Sequence, residues 1–232
     1  MKTAKKICII ISAILLIFGL AVAALNVIFN ETGWLYKEYL DDLSFVKKYY
    51  GISAEDAERV LSRMMFYAIG RENDLQTTIV EDGEEVPFFI ESELSHMDDV
   101  RKLTVTVMWA GAVSLALGLI CLAVLIIRRD RPGLRLFAKA YLITLAAALV
   151  IIIGLAVWII IDFDSFWTMF HVVFLDLESS TFDPAVSRMI RICPAELFAD
   201  FIGNLGTYAA IFVGAFAVAG AIYLKVSKKK NA

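Results

Sequence analysis

Four long runs of apolar residues divide the chain, and polar segments of unequal length separate them. The runs cover residues 1–29, 104–127, 137–161 and 205–226. Each is long enough to cross roughly 30 Å of hydrocarbon as an α-helix. Hydrophobic residues make up 59% of the chain and the mean hydropathy is +0.72, well above the usual globular share. The pattern predicts an all-α polytopic membrane protein with four transmembrane helices.

Charge is distributed unevenly among the polar segments. Residues 128–136 form a short turn, residues 227–232 a basic tail, and residues 30–103 and 162–204 two long loops. The ends, the turn and the adjoining span ends hold 12 of the 22 basic residues but one of the 25 acidic residues, leaving 10 and 24 in the long loops. Because basic residues mark the cytoplasmic side, we expect both termini inside and both loops outside. The acidic loops argue against nucleic-acid binding.

The first apolar run has an alternative interpretation as a cleaved signal peptide, since small residues at 21–23 imitate a cleavage site. The run continues to Phe29, which is longer than a signal core needs, so we favour a retained span. Cys8 and Cys121 fall in spans, and Cys193 is then the one external cysteine. An intramolecular disulfide is therefore not expected in the loops.

The first long loop is predicted to form a small, mainly helical extracytoplasmic cap. Residues 31–50 are rich in aromatic residues and predict an interfacial helix. Ser53 to Asp56 is a capping-box start for an amphipathic helix that ends near Gly70. Its apolar face could pack on the cap or rest on lipid, and we favour packing. Asp82-Gly83 predicts a hairpin turn, with Pro87 keeping the second strand at an edge.

One of the chain's two histidines lies at the end of this loop. On a helix, Glu93, His96 and Asp99 would share one face, so the imidazole would lie between two supporting carboxylates. Such neighbours favour the protonated ring and make it a stronger base. The alternative is an acidic, solvated helix start that happens to contain a histidine.

The second histidine, His171, lies in an aromatic segment of the second loop. Rings at helical spacing give one face of a short helix, and a Phe-Asp-Pro turn follows. Such a stripe is more often core than active site, but a desolvated imidazole within it needs a hydrogen-bond partner and tends to stay neutral. The candidate substrate-binding residues around it are Trp167, Phe170, Phe174, Phe182 and Asp183.

These motifs carry a family resemblance. Glu93-x-x-His96-Met97-x-Asp99-Val100, followed by Phe170-His171-x-x-Phe174 and Phe182-Asp183-Pro184, resembles the bacterial lipoprotein intramolecular transacylases over nearly the whole chain. That family moves the sn-2 acyl chain of a diacylglyceryl cysteine to the cysteine's own α-amino group, giving a lyso-form lipoprotein. The resemblance implies catalytic roles for His96 and His171. It also implies a diacylated lipoprotein N-terminus and membrane lipid as partners, at the outer face of a bacterial cell membrane.

The chain departs from the family pattern in two places. An aspartate often stands three residues after the Asp-Pro step, where this chain has Ser187. A tryptophan usually precedes that step, where residues 179–181 are Ser, Ser and Thr. These differences concern substrate positioning more than the class of reaction.

The reaction itself requires few groups from the protein. Transfer within one molecule closes an eight-membered ring, so the substrate supplies its own nucleophile. The enzyme must hold the ring closed, take a proton from the amine and stabilise an oxyanion. We interpret His96, with Glu93 and Asp99, as the base and His171 as the donor to the oxyanion or the leaving oxygen, or the reverse. No cofactor or metal is expected.

Other classes fit the composition. The two histidines with Asp99 and Asp176 could bind zinc in a membrane hydrolase, although the sequence has no His-x-x-x-His motif or cysteine cluster. A non-enzymatic assembly factor or sensor with an acidic cap fits the composition equally well. Only the paired histidine motifs argue against it. A transporter fits less well, because the spans nearly lack ionisable residues.

Overall fold

The computed structural model describes residues 1–33, 53–81, 83–175, 182–183, 185–193 and 195–229. Most of the helix expected at 31–50 lies outside them. The elements are α1 (Thr3–Asn30), α2 (Ala54–Ala68), β1 (Thr78–Glu81), β2 (Glu84–Pro87), α3 (Glu91–Ile127), α4 (Arg131–Ile161), α5 (Phe163–Phe174), α6 (Arg188–Ile192) and α7 (Ala195–Lys229).

Within the residues that the structure describes, four helices are long and apolar enough to cross a membrane. They are α1, α3, α4 and the part of α7 from Asp200–Lys228. Large apolar side chains stay exposed along them; on α4, for example, Val150 is 71% and Ile151 65% exposed. Such a surface is suited to lipid rather than to water. The predicted mainly helical, four-span membrane protein is confirmed.

The chain divides into two compact units. The span unit consists of Met1–Asn26, Val107–Phe163 and Leu205–Ala232. The histidine unit consists of Val27–Thr106 and Asp164–Asn204, and it contains both histidines of the chain.

In the span unit, α1 and α3 approach each other closely through small residues. A Cβ added to Gly19 would lie 2.4 Å from the backbone nitrogen of Leu115, and one added to Gly118 would lie 2.8 Å from the Cβ of Leu16. Any larger residue would therefore push the helices apart. Membrane helices pack this way because lipid offers them no hydrophobic driving force and close van der Waals contact must stabilise the pair.

The turn between α3 and α4 is shorter than the predicted 128–136. Asp130 is the N-cap of α4, where its carboxylate accepts a 3.1 Å hydrogen bond from the backbone N–H of Gly133. Pro132 suits the first helical turn, because its missing N–H would have no partner there. Residues 131–136 are therefore helical and extend α4.

The core of the histidine unit is built on α2. Ser53 caps this helix by accepting a 3.0 Å bond from the N–H of Asp56, as the capping-box pattern predicted. The apolar face of α2 is buried, with Ala57 and Val60 fully so. It packs in one cluster with residues of the hairpin, α3, α6 and α7, including Ile79, Phe88, Met97, Ile192 and Leu197. Packing on the protein, rather than on lipid, is thus confirmed for this face.

The predicted hairpin is also present. β1 and β2 are antiparallel, with Thr78 opposite Pro87 and Ile79 opposite Val86. Gly83 has φ +87°, a backbone conformation that a two-residue hairpin turn requires and glycine adopts without strain. The strand ends at Pro87, and the N–H of Phe88 donates one further 2.8 Å bond to the carbonyl of Thr77.

Candidate active site

Helix α3 carries His96 before its apolar part. The helix has 37 residues, so it is about 55 Å long at ~1.5 Å per residue, far more than the roughly 30 Å of hydrocarbon. Its first section holds the charged residues Asp98, Asp99, Arg101 and Lys102, and the apolar stretch starts only at Thr104. His96 therefore precedes the membrane-spanning segment.

The two histidines lie together in the histidine unit. Their ring centroids are 5.9 Å apart and the ring planes are inclined by 24°, a stacked arrangement. Both side chains are buried: His96 is 8% and His171 is 4% exposed. The structure thus brings both sequence motifs to one point.

Helix α5 fixes the orientation and the tautomer of His171. Nδ1 of this ring lies 2.8 Å from the backbone carbonyl oxygen of Trp167, one helical turn earlier. A carbonyl oxygen only accepts hydrogen bonds, so Nδ1 carries the proton and donates it. In the neutral ring, Nε2 then holds the lone pair and is the atom that can take up a proton.

Aromatic side chains enclose both imidazoles. The ring of Phe182 meets that of His96 edge to face at 5.3 Å, and Trp167 and Phe170 meet His171 at 4.6 and 5.6 Å. Two further rings extend this wall: Phe198 lies 4.8 Å from Trp167, and Phe174 lies 5.2 Å from Phe170. Phe174 is 55% exposed. The wall therefore buries the imidazoles and is exposed at its Phe174 end.

The electrostatic expectation for His96 is wrong. We expected flanking carboxylates to favour its protonated ring, but the pKa of His96 is lowered from 6.5 to about 4. Burial is the main cause, since it penalises the charged form, and the neighbouring His171 adds to it. Asp99 acts in the expected direction but is the smallest of the three influences. His96 is consequently neutral at physiological pH.

The predicted position of Glu93 beside the imidazole needs correction too. Its carboxylate is fully buried, and both oxygens are engaged by groups other than the imidazole. Oε1 accepts from the Ser187 hydroxyl at 2.5 Å and from the Met189 N–H at 3.0 Å. Oε2 accepts from the N–H of Ile90 at 2.9 Å. Glu93 therefore joins α3 to the start of α6.

The remaining acidic candidates have polar partners of their own. Asp99 is 35% exposed in its side chain and accepts a 3.0 Å bond from Lys102. Asp183 was expected to contact substrate. Its carboxylate accepts from the N–H of Ala185 at 2.8 Å, and its carbonyl accepts from Val186 and Ser187. The side chain of Asp183 thus shapes a turn.

A metal site at this point would have to use the same histidine and acidic side chains. Within the described part of the chain, no group of three His, Cys, Asp or Glu side chains is placed to hold a metal ion. Asp176, which the zinc alternative would use, lies outside the described residues. The contacts that the structure does give His171 and Glu93 are hydrogen bonds to backbone and hydroxyl groups.

Comparison with known proteins decides the family. A sequence model described as lipoprotein intramolecular transacylase Lit matches residues 9–198. The chain belongs to this family. Its membership makes the protein a membrane transacylase that acts on lipoproteins, as the resemblance of the two histidine motifs implied.

The fold is similar to that of solved Lit structures. The membrane-integral lipoprotein intramolecular transacylase Lit from Bacillus cereus matches with a TM-score of 0.69 and 18% identity, over 98% of this chain and 96% of that chain. Two variants of the Bacillus cereus protein, with one histidine replaced by arginine or by alanine, match with TM-scores of 0.65 at 18% identity. Each match covers 98% of this chain. It covers 92% of the arginine variant and 94% of the alanine variant. No curated protein matches the chain.

Sequence reasoning about this Lit family member missed the role of Ser187. It is 1% exposed, caps α6 by accepting from the N–H of Ile190 at 3.2 Å, and donates its hydroxyl to Glu93. A serine three residues before an apolar helical position is a recognisable N-cap signal. Its partner is not recognisable, because Glu93 lies 94 residues earlier in the chain.

Proposed function

We propose that this Lit family member transfers the sn-2 acyl chain of a diacylglyceryl-cysteine lipoprotein to the same cysteine's α-amino group, with His96 and His171 as its catalytic pair. The observation that carries the proposal is the buried contact between the two imidazoles, 5.9 Å apart by their centroids, inside an aromatic enclosure. The unequal charge of the loops supports placing this site on the outer face of the cell membrane.

The chemistry needs one base and one oxyanion donor. The amine nitrogen attacks the sn-2 ester carbonyl, an N–C bond forms, and the amine loses a proton. The tetrahedral intermediate then expels the glyceryl oxygen, which takes up a proton as the ester C–O bond breaks. Amine and ester belong to one molecule, so the protein's main task is to hold the ring-closed conformer and exclude water.

The geometry favours His171 as the base. Its Nδ1–H is held by the Trp167 carbonyl, which leaves Nε2 to accept the amine proton and to return it to the glyceryl oxygen. This assignment exchanges the roles that we preferred from the sequence.

His96 suits the other role. With a pKa of about 4 it is a weak base at neutral pH. A neutral imidazole can still donate an N–H hydrogen bond to a developing oxyanion, and in a dry site such a bond counts for more than in water.

The aromatic wall is proposed to receive the acyl chains. Trp167 and Phe170 border the reacting imidazole, and Phe174 opens toward the exterior with more than half of its surface exposed. Apolar rings can line the path of a hydrocarbon chain without hydrogen-bonding demands of their own. Phe182 would cover His96 from the other side.

The test is mass spectrometry of a diacylated lipopeptide incubated with the purified protein in detergent. Acyl transfer leaves the mass unchanged but makes the N-terminus an amide, which fragmentation identifies. His96→Ala and His171→Ala should each lower the rate ~100-fold or more, while far-UV circular dichroism stays unchanged. Val80→Ala, at an exposed hairpin position, should keep full activity as the matched control.

Three results would contradict the proposal. Full activity in either histidine variant would show that this ring is structural. In a mixture of two peptides of which one carries labelled acyl chains, label on the second peptide would show intermolecular transfer. Release of free fatty acid that stops with EDTA and returns with zinc would favour the membrane hydrolase instead.

A further inference from the structure

Glu93 satisfies backbone donors at the starts of two helices. On its own helix it stands at the third position and accepts from the N–H of Ile90, which is half of a capping box. Its other oxygen accepts from the N–H of Met189 in α6 and from the hydroxyl of Ser187, the N-cap of α6. Three donors thus converge on one fully buried carboxylate, which can only accept.

The segment held by this carboxylate also carries Phe182. The carbonyl of Asp183 accepts from the N–H groups of Val186 and Ser187, at 2.9 and 2.8 Å, and so closes a tight turn between Phe182 and Ser187. One end of the turn places a ring against His96 at 5.3 Å, and the other end bonds to Glu93. Because Glu93 and His96 are one helical turn apart on α3, both contacts are anchored to the same helix.

We propose that Glu93 is a positioning residue: its bonds to Ser187 and Met189 seat the turn so that Phe182 covers His96 and keeps that imidazole out of water. We call the bonds from Ser187 and Met189 to Glu93 the seat of the turn. Without this seat, Phe182 is released and water reaches the imidazole of His96. The inference rests on the proposed function only where it predicts how Glu93 affects the rate of acyl transfer. The exposure of His96 to water can be measured without substrate.

Two substitutions weaken the seat in different ways. Ser187→Ala removes one of the three bonds to Glu93 and keeps both backbone bonds. Glu93→Asp keeps the negative charge but withdraws the carboxylate by one methylene from Ser187 and Met189. A purely electrostatic role of Glu93 would survive the second change, whereas a positioning role would not. Ser53→Ala is the matched control, since Ser53 caps α2 of the same unit with a comparable 3.0 Å bond.

The measurement is NMR titration of histidine in the detergent-solubilised full chain, labelled in the imidazole rings. The chain contains two histidines, so two ring signals are expected, and His171→Gln assigns them. The charged groups that act on His96 are His171 on α5 and Asp99 on its own helix, and Ser187→Ala, Glu93→Asp and Ser53→Ala keep both. In Ser187→Ala and Glu93→Asp the pKa of His96 should rise from about 4 toward 6.5, and in Ser53→Ala it should not.

Activity gives the second measurement. Both seat variants should lower kcat on the order of 10- to 100-fold, the scale on which a misplaced group slows a reaction, with a smaller change in KM. If His96 still titrates near 4 in both folded variants, Glu93 only stabilises the fold and the inference is overturned. If His96 titrates higher but kcat is unchanged, the seat exists and the catalytic role of His96 fails instead.

Discussion

Proton uptake by His96 should make the stability of the protein depend on pH in a defined window. The pKa of its ring is about 4 in the folded protein and 6.5 when exposed. Above pH 6.5 the ring is neutral in both states and contributes no pH dependence. Between pH 6.5 and 4 only the unfolded chain binds the proton, so stability falls as the pH falls. Below pH 4 both states are protonated and the loss levels off.

The size of the effect follows from the same two values. A difference of one pKa unit corresponds to 1.36 kcal/mol, so the gap between 6.5 and about 4 corresponds to about 3 kcal/mol in total. About 2 kcal/mol of this should be lost between pH 7.5 and pH 5.

The informative perturbation is His96→Gln. Glutamine keeps a side-chain N–H donor but does not titrate, so the variant should lack this component of the pH dependence. Free energies of unfolding can be measured by SDS titration in mixed micelles, with helix content followed at 222 nm. Subtracting the variant from the wild-type protein removes the contribution of the carboxylates, which both proteins share, and leaves that of His96 together with its coupling to His171.

The expected difference is a loss of about 2 kcal/mol on going from pH 7.5 to pH 5 that only the wild-type protein shows. If the two proteins lose stability in parallel, His96 is not buried as a neutral ring. The assignment of His96 as a neutral donor would then fall as well, because an imidazole that titrates normally would be partly charged at pH 6.5.

Two further predictions concern other residues. Burial raises the pKa of the Cys193 thiol to about 12, with the charge of Glu93 as a second cause, so no thiolate nucleophile is available near neutral pH. Cys193→Ala should keep full transfer activity, and an acyl thioester trapped on Cys193 would contradict this. A cysteine placed at the exposed hairpin position Glu84 should react with an impermeant thiol reagent in intact cells, whereas one at Arg131 should react only after the membrane is opened. Labelling in the opposite order would place the proposed catalytic site on the cytoplasmic side.

The parts of the fold that were predictable are those that depend on local patterns. Apolar length gave the four spans, because a bilayer imposes a minimum length on each helix. Ser53 marked a helix start, because its side chain caps the first turn. Gly83 marked a hairpin, because the turn needs a residue with positive φ. The turn after α3 was predicted too long because the charges at 131–136 suggested a polar turn, while Asp130 and Pro132 favour a helix start at that point.

The electrostatics of the site were not predictable in the same way. Helical spacing correctly placed Asp99 near His96. Spacing contains no information on burial, however, and burial has a larger effect than Asp99 on the pKa of His96. The partner of Glu93 was also hidden, since a carboxylate on a helix face could point to water, to His96 or to another segment. Only the tertiary structure shows that Ser187 and Met189 supply its donors.

The bond between Glu93 and Ser187 also has a consequence for the order of folding. It joins residues 94 positions apart, with two apolar runs between them. Contacts this distant in sequence form late, because the intervening chain must first be placed and the loop entropy overcome. During synthesis Glu93 and His96 emerge long before Ser187, and in that period His96 has no Phe182 to cover it. The newly made chain therefore inserts its first three spans before His96 and His171 can meet, and the two rings come together only when the second long loop has docked.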